Sequence, residues 1–164
     1  MIVIIRTSRY KLLIGIAFVV IFIFTTQALN SQGLNQAMDS LMQTNHIFKN
    51  SIKTIQLHKE EWELSYPMIE INSNEKLLLS FDDLSDNVGD YYYSFIHCDA
   101  TWNASSLLEQ DYLEGFPENQ IINYEYSFNT TVKYIHYKLT FPNEDVSFKI
   151  SGNYILIIYQ NYDK

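Results

Sequence analysis

The sequence predicts an all-β fold, an immunoglobulin-like antiparallel β-sandwich with one short helical excursion. Three observations carry this. Apolar residues fall in short runs divided by polar clusters, and several of these runs alternate with period two, as half-buried strands do. Aromatic residues reach 15%, with 13 Tyr, 10 Phe and 2 Trp, and aromatic side chains suit a pleated surface. No long helical periodicity and no internal repeat competes with that pattern. A closed small barrel is the second architecture the pattern allows. The 164 residues fit one domain, and 47% hydrophobic content with 18% charge excludes a largely disordered chain.

Residues 1–28 form a block of their own. Arg6, Arg9 and Lys11 precede the apolar run 12–24, and Thr26-Gln27-Ala28 places small residues for cleavage after Ala28. That is the layout of a secretory signal peptide. The rival, an uncleaved anchor, needs about 20 apolar residues, and the run is shorter. No direct membrane insertion is therefore expected once the leader is cleaved. Its removal takes three positive charges and no acid, so the formal charge goes from −8 to −11. Such an acidic product is poorly suited to nucleic acid or anionic membrane surfaces, which select for basic patches. A single cysteine, Cys98, excludes an intramolecular disulfide framework and a Cys-only metal cluster.

Residues 29–50 are rich in Gln, Asn and Ser and read as a polar leader with weak helical spacing. From residue 51 to 164 the β pattern takes over. Strands are expected at 52–57, 68–71, 77–81, 91–98, 122–128, 133–141 and 154–159, with a shorter one at 147–150. Within 122–128, Tyr124, Tyr126 and Phe128 share one face; within 133–141, Ile135, Tyr137, Leu139 and Phe141 do so. The run 154–159 is apolar on both faces and reads as a central strand. Asn129-Thr130-Thr131, Pro142-Asn143-Glu144-Asp145 and Ser151-Gly152-Asn153 supply turn chemistry. Residues 99–120 break the rhythm. There Ser106-Leu107-Leu108-Glu109 fits a capping box, predicting one helical turn that ends near Gly115.

The chemistry-bearing residues do not assemble into a catalytic set. His97, Cys98 and Asp99 are adjacent on a strand and point alternately to opposite faces, so they do not converge on one ion. Cys98 beside Asp99 lacks the electropositive setting of a reactive thiol. The acids of Asp82-Asp83-Leu84-Ser85-Asp86 read as a solvated turn rather than a calcium loop. No phosphate loop, nucleophile elbow or dinucleotide fingerprint is present. The expectation is a protein that is not an enzyme, with no catalytic residue, metal or cofactor. The tyrosines of Tyr91-Tyr92-Tyr93 lie on both faces of their strand, and an exposed subset of the aromatics would make a binding surface.

Several motifs occur in a telling order. They are Ile52-Lys53-Thr54-Ile55-Gln56-Leu57, Leu79-Ser80-Phe81-Asp82-Asp83-Leu84, the run from Tyr91 through His97-Cys98-Asp99-Ala100-Thr101-Trp102-Asn103, Tyr112-Leu113-Glu114-Gly115-Phe116, Tyr126-Ser127-Phe128-Asn129-Thr130-Thr131 and Ser151-Gly152-Asn153-Tyr154. Together, over residues 51–159, they resemble the N-terminal domain of the type IX secretion system plug protein family. The resemblance implies an exported, periplasmic protein associated with the outer membrane. Its partner would be the type IX translocon barrel, whose periplasmic mouth it closes. It also implies longer relatives, with further domains and a terminal strand beyond this stretch. Trp102, Asn103, Tyr112 and Phe116 are the residues expected to shape the 99–120 loop, its tip facing the partner. The opposing expectation is that Trp102 and Phe116 close one end of the core. A carbohydrate-binding β-sandwich module, stacking sugars on exposed Trp and Tyr, is the alternative function.

Overall fold

A computed structural model of the chain describes residues 45–160 and, by their backbone, residues 2–6. The apolar run 12–24, the cleavage position after Ala28 and most of the polar leader lie outside the described residues. The elements are β1 (Ile2–Arg6), β2 (Ile52–Lys59), β3 (Leu77–Asp83), β4 (Tyr91–Cys98), α1 (Glu109–Tyr112), β5 (Leu113–Gly115), β6 (Glu118–Gln120), β7 (Asn123–Tyr126), β8 (Ile135–Phe141), β9 (Val146–Phe148) and β10 (Asn153–Gln160). One sheet runs β2-β3-β8-β7, the other β1-β10-β4-β6, and β5 pairs with β9 in a small third sheet. Every pairing is antiparallel. In immunoglobulin lettering the first sheet is A-B-E-D and the second G-F-C-C′, with β1 standing in the G position.

Alternation explains the core. On β8, Ile135, Tyr137, Leu139 and Phe141 are buried while the residues between them are partly exposed, as the sequence pattern predicts. Leu77, Leu79 and Phe81 from β3 face Tyr91, Tyr93 and Phe95 from β4, with Tyr154, Leu156 and Ile158 from β10 beside them. Burial of each such side chain contributes about 1.5–3 kcal/mol. Aromatic rings dominate: Phe81 stacks on Tyr137 at 5.1 Å, and Phe148 meets Phe95 at 5.0 Å and Tyr154 at 4.5 Å. Tyr154, at the start of β10, donates its hydroxyl to the Ile150 carbonyl at 2.7 Å. This is the tyrosine corner of immunoglobulin-like sandwiches.

Several expectations are corrected. Residues 68–71 form no strand. They follow Pro67, and their backbone closes on itself, with Ser73 N–H donating to Glu70 O and Glu70 N–H to the Glu75 carboxylate; Ile69 is buried as a loop anchor. The helical turn begins at Glu109 and ends at Tyr112, not near Gly115. Its cap is the Asp111 carboxylate, which accepts the Leu108 N–H at 3.1 Å; Ser106 does not cap it. The stretch 99–120 also holds β5 and β6, each too short to show alternation. Finally, Asp83 is not a solvated turn residue. It is fully buried and accepts hydrogen bonds from Tyr91 Oη, the Ser85 N–H and the Ser85 hydroxyl at 2.6, 3.0 and 2.7 Å.

Gly115 ends β5 at φ 96°, where a Cβ would sit 2.0 Å from the Asp145 carbonyl oxygen. That oxygen accepts the Phe116 N–H, so it has no room to retreat. Gly115→Ala is expected to destabilise by about 1–3 kcal/mol, read as a lower urea midpoint at unchanged m-value.

Candidate partner-binding surface

The 99–120 excursion starts where β4 ends. Asp99 turns the chain by accepting the Thr101 hydroxyl and N–H, each at 2.7 Å, and the Asn103 N–H at 3.0 Å, with Asn103 Nδ2 at 3.3 Å. The Thr101 hydroxyl, with the other donors, holds the Asp99 carboxyl below the usual carboxylate range. Trp102 sits at the tip with φ 68°, a left-handed conformation that non-glycine residues seldom adopt. The Asn103 side chain is spent inside this turn, on Asp99 and on the Thr101 hydroxyl. The chain then runs back: Ser105 N–H donates to the His97 carbonyl at 2.8 Å, and α1 drops Tyr112 into the core.

The four residues singled out from the sequence therefore part company. Tyr112 is buried, its hydroxyl donating to the Phe95 carbonyl at 3.1 Å. Trp102 is half-buried and Asn103 is exposed. Phe116 is 69% exposed and does not close the core. Leu107 and Leu108, like Phe116, are exposed apolar side chains of the excursion.

A larger exposed surface lies on β7. This strand is last in its sheet, and all four of its residues are exposed. Tyr124 and Tyr126 lie on the face that the alternation assigns to them, with Tyr124 5.8 Å from the buried Tyr137 ring. No described element packs over the end of that face, so Tyr126 is 66% and Phe128 93% exposed. Ile122 and Val132 extend the strip. The opposite edge of the same sheet is treated differently: β2 carries a register shift between Lys53 and Gln56 with Thr54 at φ 51°. Such a bulge blunts an edge against pairing. The β7 edge lacks one. Alternation gives the aromatic face from sequence; that β7 is the uncovered edge follows only from strand order.

The groups with chemical potential are separated. His97 points inward, Nδ1 2.9 Å from the Ser105 hydroxyl and its ring 5.2 Å from Tyr154. Cys98 faces the other way, and burial, then Asp99, pushes its thiol up to about 11, leaving it protonated at neutral pH. His136 lies on the other sheet, its Nδ1 2.6 Å from Asp82. Among the described residues no three His, Cys, Asp or Glu side chains come together as metal ligands, and no helix is long and apolar enough to cross a membrane.

The family model for the type 9 secretion system plug protein first domain matches residues 52–164. The chain belongs to the type 9 secretion system plug protein family. This plug-family domain is also similar to a solved structure, that of a hypothetical protein from Parabacteroides merdae ATCC 43184, at 36% identity and a TM-score of 0.67. The match covers 68% of this chain and 28% of that one. None of the curated proteins is similar enough to match. Family membership ties the sandwich to type 9 secretion as a secretion-system component.

Proposed function

We propose that this protein is an exported, non-enzymatic plug component that seals the periplasmic mouth of the outer-membrane type 9 translocon barrel. The observation that carries the reading is the uncovered aromatic edge Tyr124, Tyr126 and Phe128, with a separate exposed ring, Phe116, on the 99–120 excursion. Closing a barrel mouth needs a rigid body and a complementary face with aromatic anchors, not a reactive centre. The acidic charge of the chain keeps it soluble and away from anionic lipid. Family membership supports the secretion context.

The experiment is capture of detergent-solubilised outer membranes on the tagged full chain. Recovery of a very large β-barrel is expected. Phe116→Ser combined with Tyr126→Ser and Phe128→Ser should weaken that capture by at least about thirtyfold, the scale of losing one hot spot, with the thermal midpoint within a few degrees of the parent. Capture that is absent, or indifferent to these substitutions, counts against the reading. Saccharide binding without any barrel would favour the carbohydrate module instead.

A further inference from the structure

The connection between β2 and β3 carries an exposed surface separate from the strip on β7. Its first half reads Glu60-Glu61-Trp62-Glu63-Leu64-Ser65-Tyr66. Trp62, Leu64 and Tyr66 are 63%, 87% and 80% exposed, yet the backbone beneath them is pinned. Trp62 N–H donates to the Lys59 carbonyl and Ser65 N–H to the Trp62 carbonyl, each at 3.0 Å, and Glu60 N–H donates to the Lys76 carbonyl at 2.9 Å. The Ser65 hydroxyl in turn accepts the Lys59 N–H at 2.7 Å. A loop closed by its own hydrogen bonds thus holds three large apolar side chains out in water. Apolar groups presented together in this way mark a contact surface, and fixing the loop in advance lowers the ordering cost of docking.

The acids interleaved with those side chains set the occupant's charge. Among the described residues no cation pairs with Glu60, Glu61 or Glu63, and Lys59 is held by Glu75. The β7 strip differs, since its acid, Glu125, is matched by Lys138 at 3.1 Å. Position argues against cover by the flanks of residues 45–160. Lys59 pairs with Leu77 and Leu77 with Phe141, which puts the loop at the end of the sheet opposite Asp83, about 20 Å away along β3. Residues 45–160 enter and leave at the Asp83 end, where Lys49 reaches both Asp83 and Gln160, and β1 lies on the outer edge of the other sheet. We infer that residues 60–66 form a second docking site, whose occupant is a segment of a partner protein presenting arginine side chains among aliphatic ones. A guanidinium pairs with carboxylates and stacks on indole and phenol rings, and complementary charge selects the partner. Residues 29–164 contain no arginine, and the same three acids repel anionic lipid. Tyr126 lies opposite Ile135, itself opposite Asp83, so the two exposed surfaces occupy opposite corners of one sheet. The loop site therefore stands whether or not the β7 strip seals a barrel.

The tryptophans are Trp62 and Trp102, so Trp102→Phe in the full chain leaves Trp62 as the reporter. A peptide of alternating arginine and leucine should shift its emission to the blue and bind at least about tenfold more tightly than the same peptide with glutamine for arginine. Glu60→Gln with Glu61→Gln and Glu63→Gln should erase that preference and its dependence on salt. The same charge removed elsewhere on the exposed surface, by Asp86→Asn, Glu114→Gln and Glu144→Gln, should leave the affinity within about threefold. Trp62→Ser with Leu64→Ser and Tyr66→Ser, followed by anisotropy of a labelled peptide, should weaken binding at least about tenfold, with the thermal midpoint within a few degrees of the parent. A peptide that shifts nothing, a glutamine peptide that binds as tightly, or equal losses from the two sets of acid substitutions overturns the site. Emission of a buried indole in the free chain would show that another segment of the chain covers the loop, and would overturn it as well. So would a dimer in sedimentation that the three serine substitutions dissociate, since the occupant would then be a second copy.

Discussion

Replacing Asp83 by Asn is expected to cost about 3 kcal/mol and to flatten the acid sensitivity of the fold. The Asp83 carboxylate sits at the end of β3 with donors on both oxygens. Oδ1 takes the Ser85 N–H and hydroxyl; Oδ2 takes the Tyr91 hydroxyl and the Lys49 ammonium, the latter at 3.2 Å. Lys49 also donates to Tyr91 Oη at 2.9 Å and to Gln160 Oε1 at 3.0 Å. The cluster thus ties the segment before β2 to β3, β4 and the end of β10, across both sheets. An Asn in this place turns an NH₂ toward one pair of donors. Hydroxyls can rotate to accept, but the Ser85 N–H and the ammonium cannot. Hydrogen bonds to a charged group contribute about 1.5–3 kcal/mol each and do not add. Lys49 is partly exposed and regains water when released, which keeps the total near the lower bound for breaking a buried pair.

The pH dependence has a definite sign. Burial alone pushes the Asp83 carboxyl up, but the hydrogen bonds from Ser51, Tyr91 and Ser85 outweigh it and hold the group well below the usual carboxylate range. The unfolded chain, titrating near 3.9, therefore binds the proton first as pH falls. Stability from this group is full above about pH 5 and is lost progressively as the medium is acidified toward the folded-state value. Urea midpoints measured at pH 7 and pH 3 should differ more for the parent than for Asp83→Asn. Equal differences would mean that other carboxylates carry the acid response.

Where local pattern decides structure, the sequence is a good guide. Tyr91–Cys98 occupies the expected boundaries, and the alternation of Ile135, Tyr137, Leu139 and Phe141 gives the inward face of β8, because a strand's two faces are set by its own residues. Where partners from distant positions decide, it is a poor guide. Asp83 lies in a run of acids that any local reading leaves in solvent; it is buried because Lys49 and Tyr91 are brought to it from elsewhere in the chain. Apolar content at residues 68–71 resembles a strand but finds no ladder. The expected partner loop divides in the same way. Tyr112 and Phe116 are near neighbours of similar chemistry, yet α1 turns one into the core and the φ of Gly115 sends the other outward. The exposed strip on β7 depends on strand order, which periodicity does not encode.

Tyr137→Ala should be the most damaging single core substitution among those considered, at about 3–5 kcal/mol. The ring is fully buried, lies nearly parallel to Phe81 at 11°, and meets Tyr91 edge-on at 4.9 Å. Truncation leaves a cavity that two rigid sheets cannot collapse to fill. The hydroxyl adds a separate loss. It accepts the Gly89 N–H at 2.9 Å and donates to the Gly89 carbonyl at 3.2 Å, fixing the β3–β4 connection from inside. Tyr137→Phe keeps the ring and strands those buried backbone groups, so it should cost about 1–3 kcal/mol; the remainder of the alanine effect measures packing. Because Tyr91 lies between the Tyr137 ring and the Asp83 carboxylate, the two sites share a partner. Tyr137→Ala with Asp83→Asn should therefore cost less than the sum of the single changes, by about 0.5–3 kcal/mol. Urea midpoints of the four proteins would measure the coupling, and strict additivity would show that the aromatic stack and the buried carboxylate hold this end of the sandwich independently.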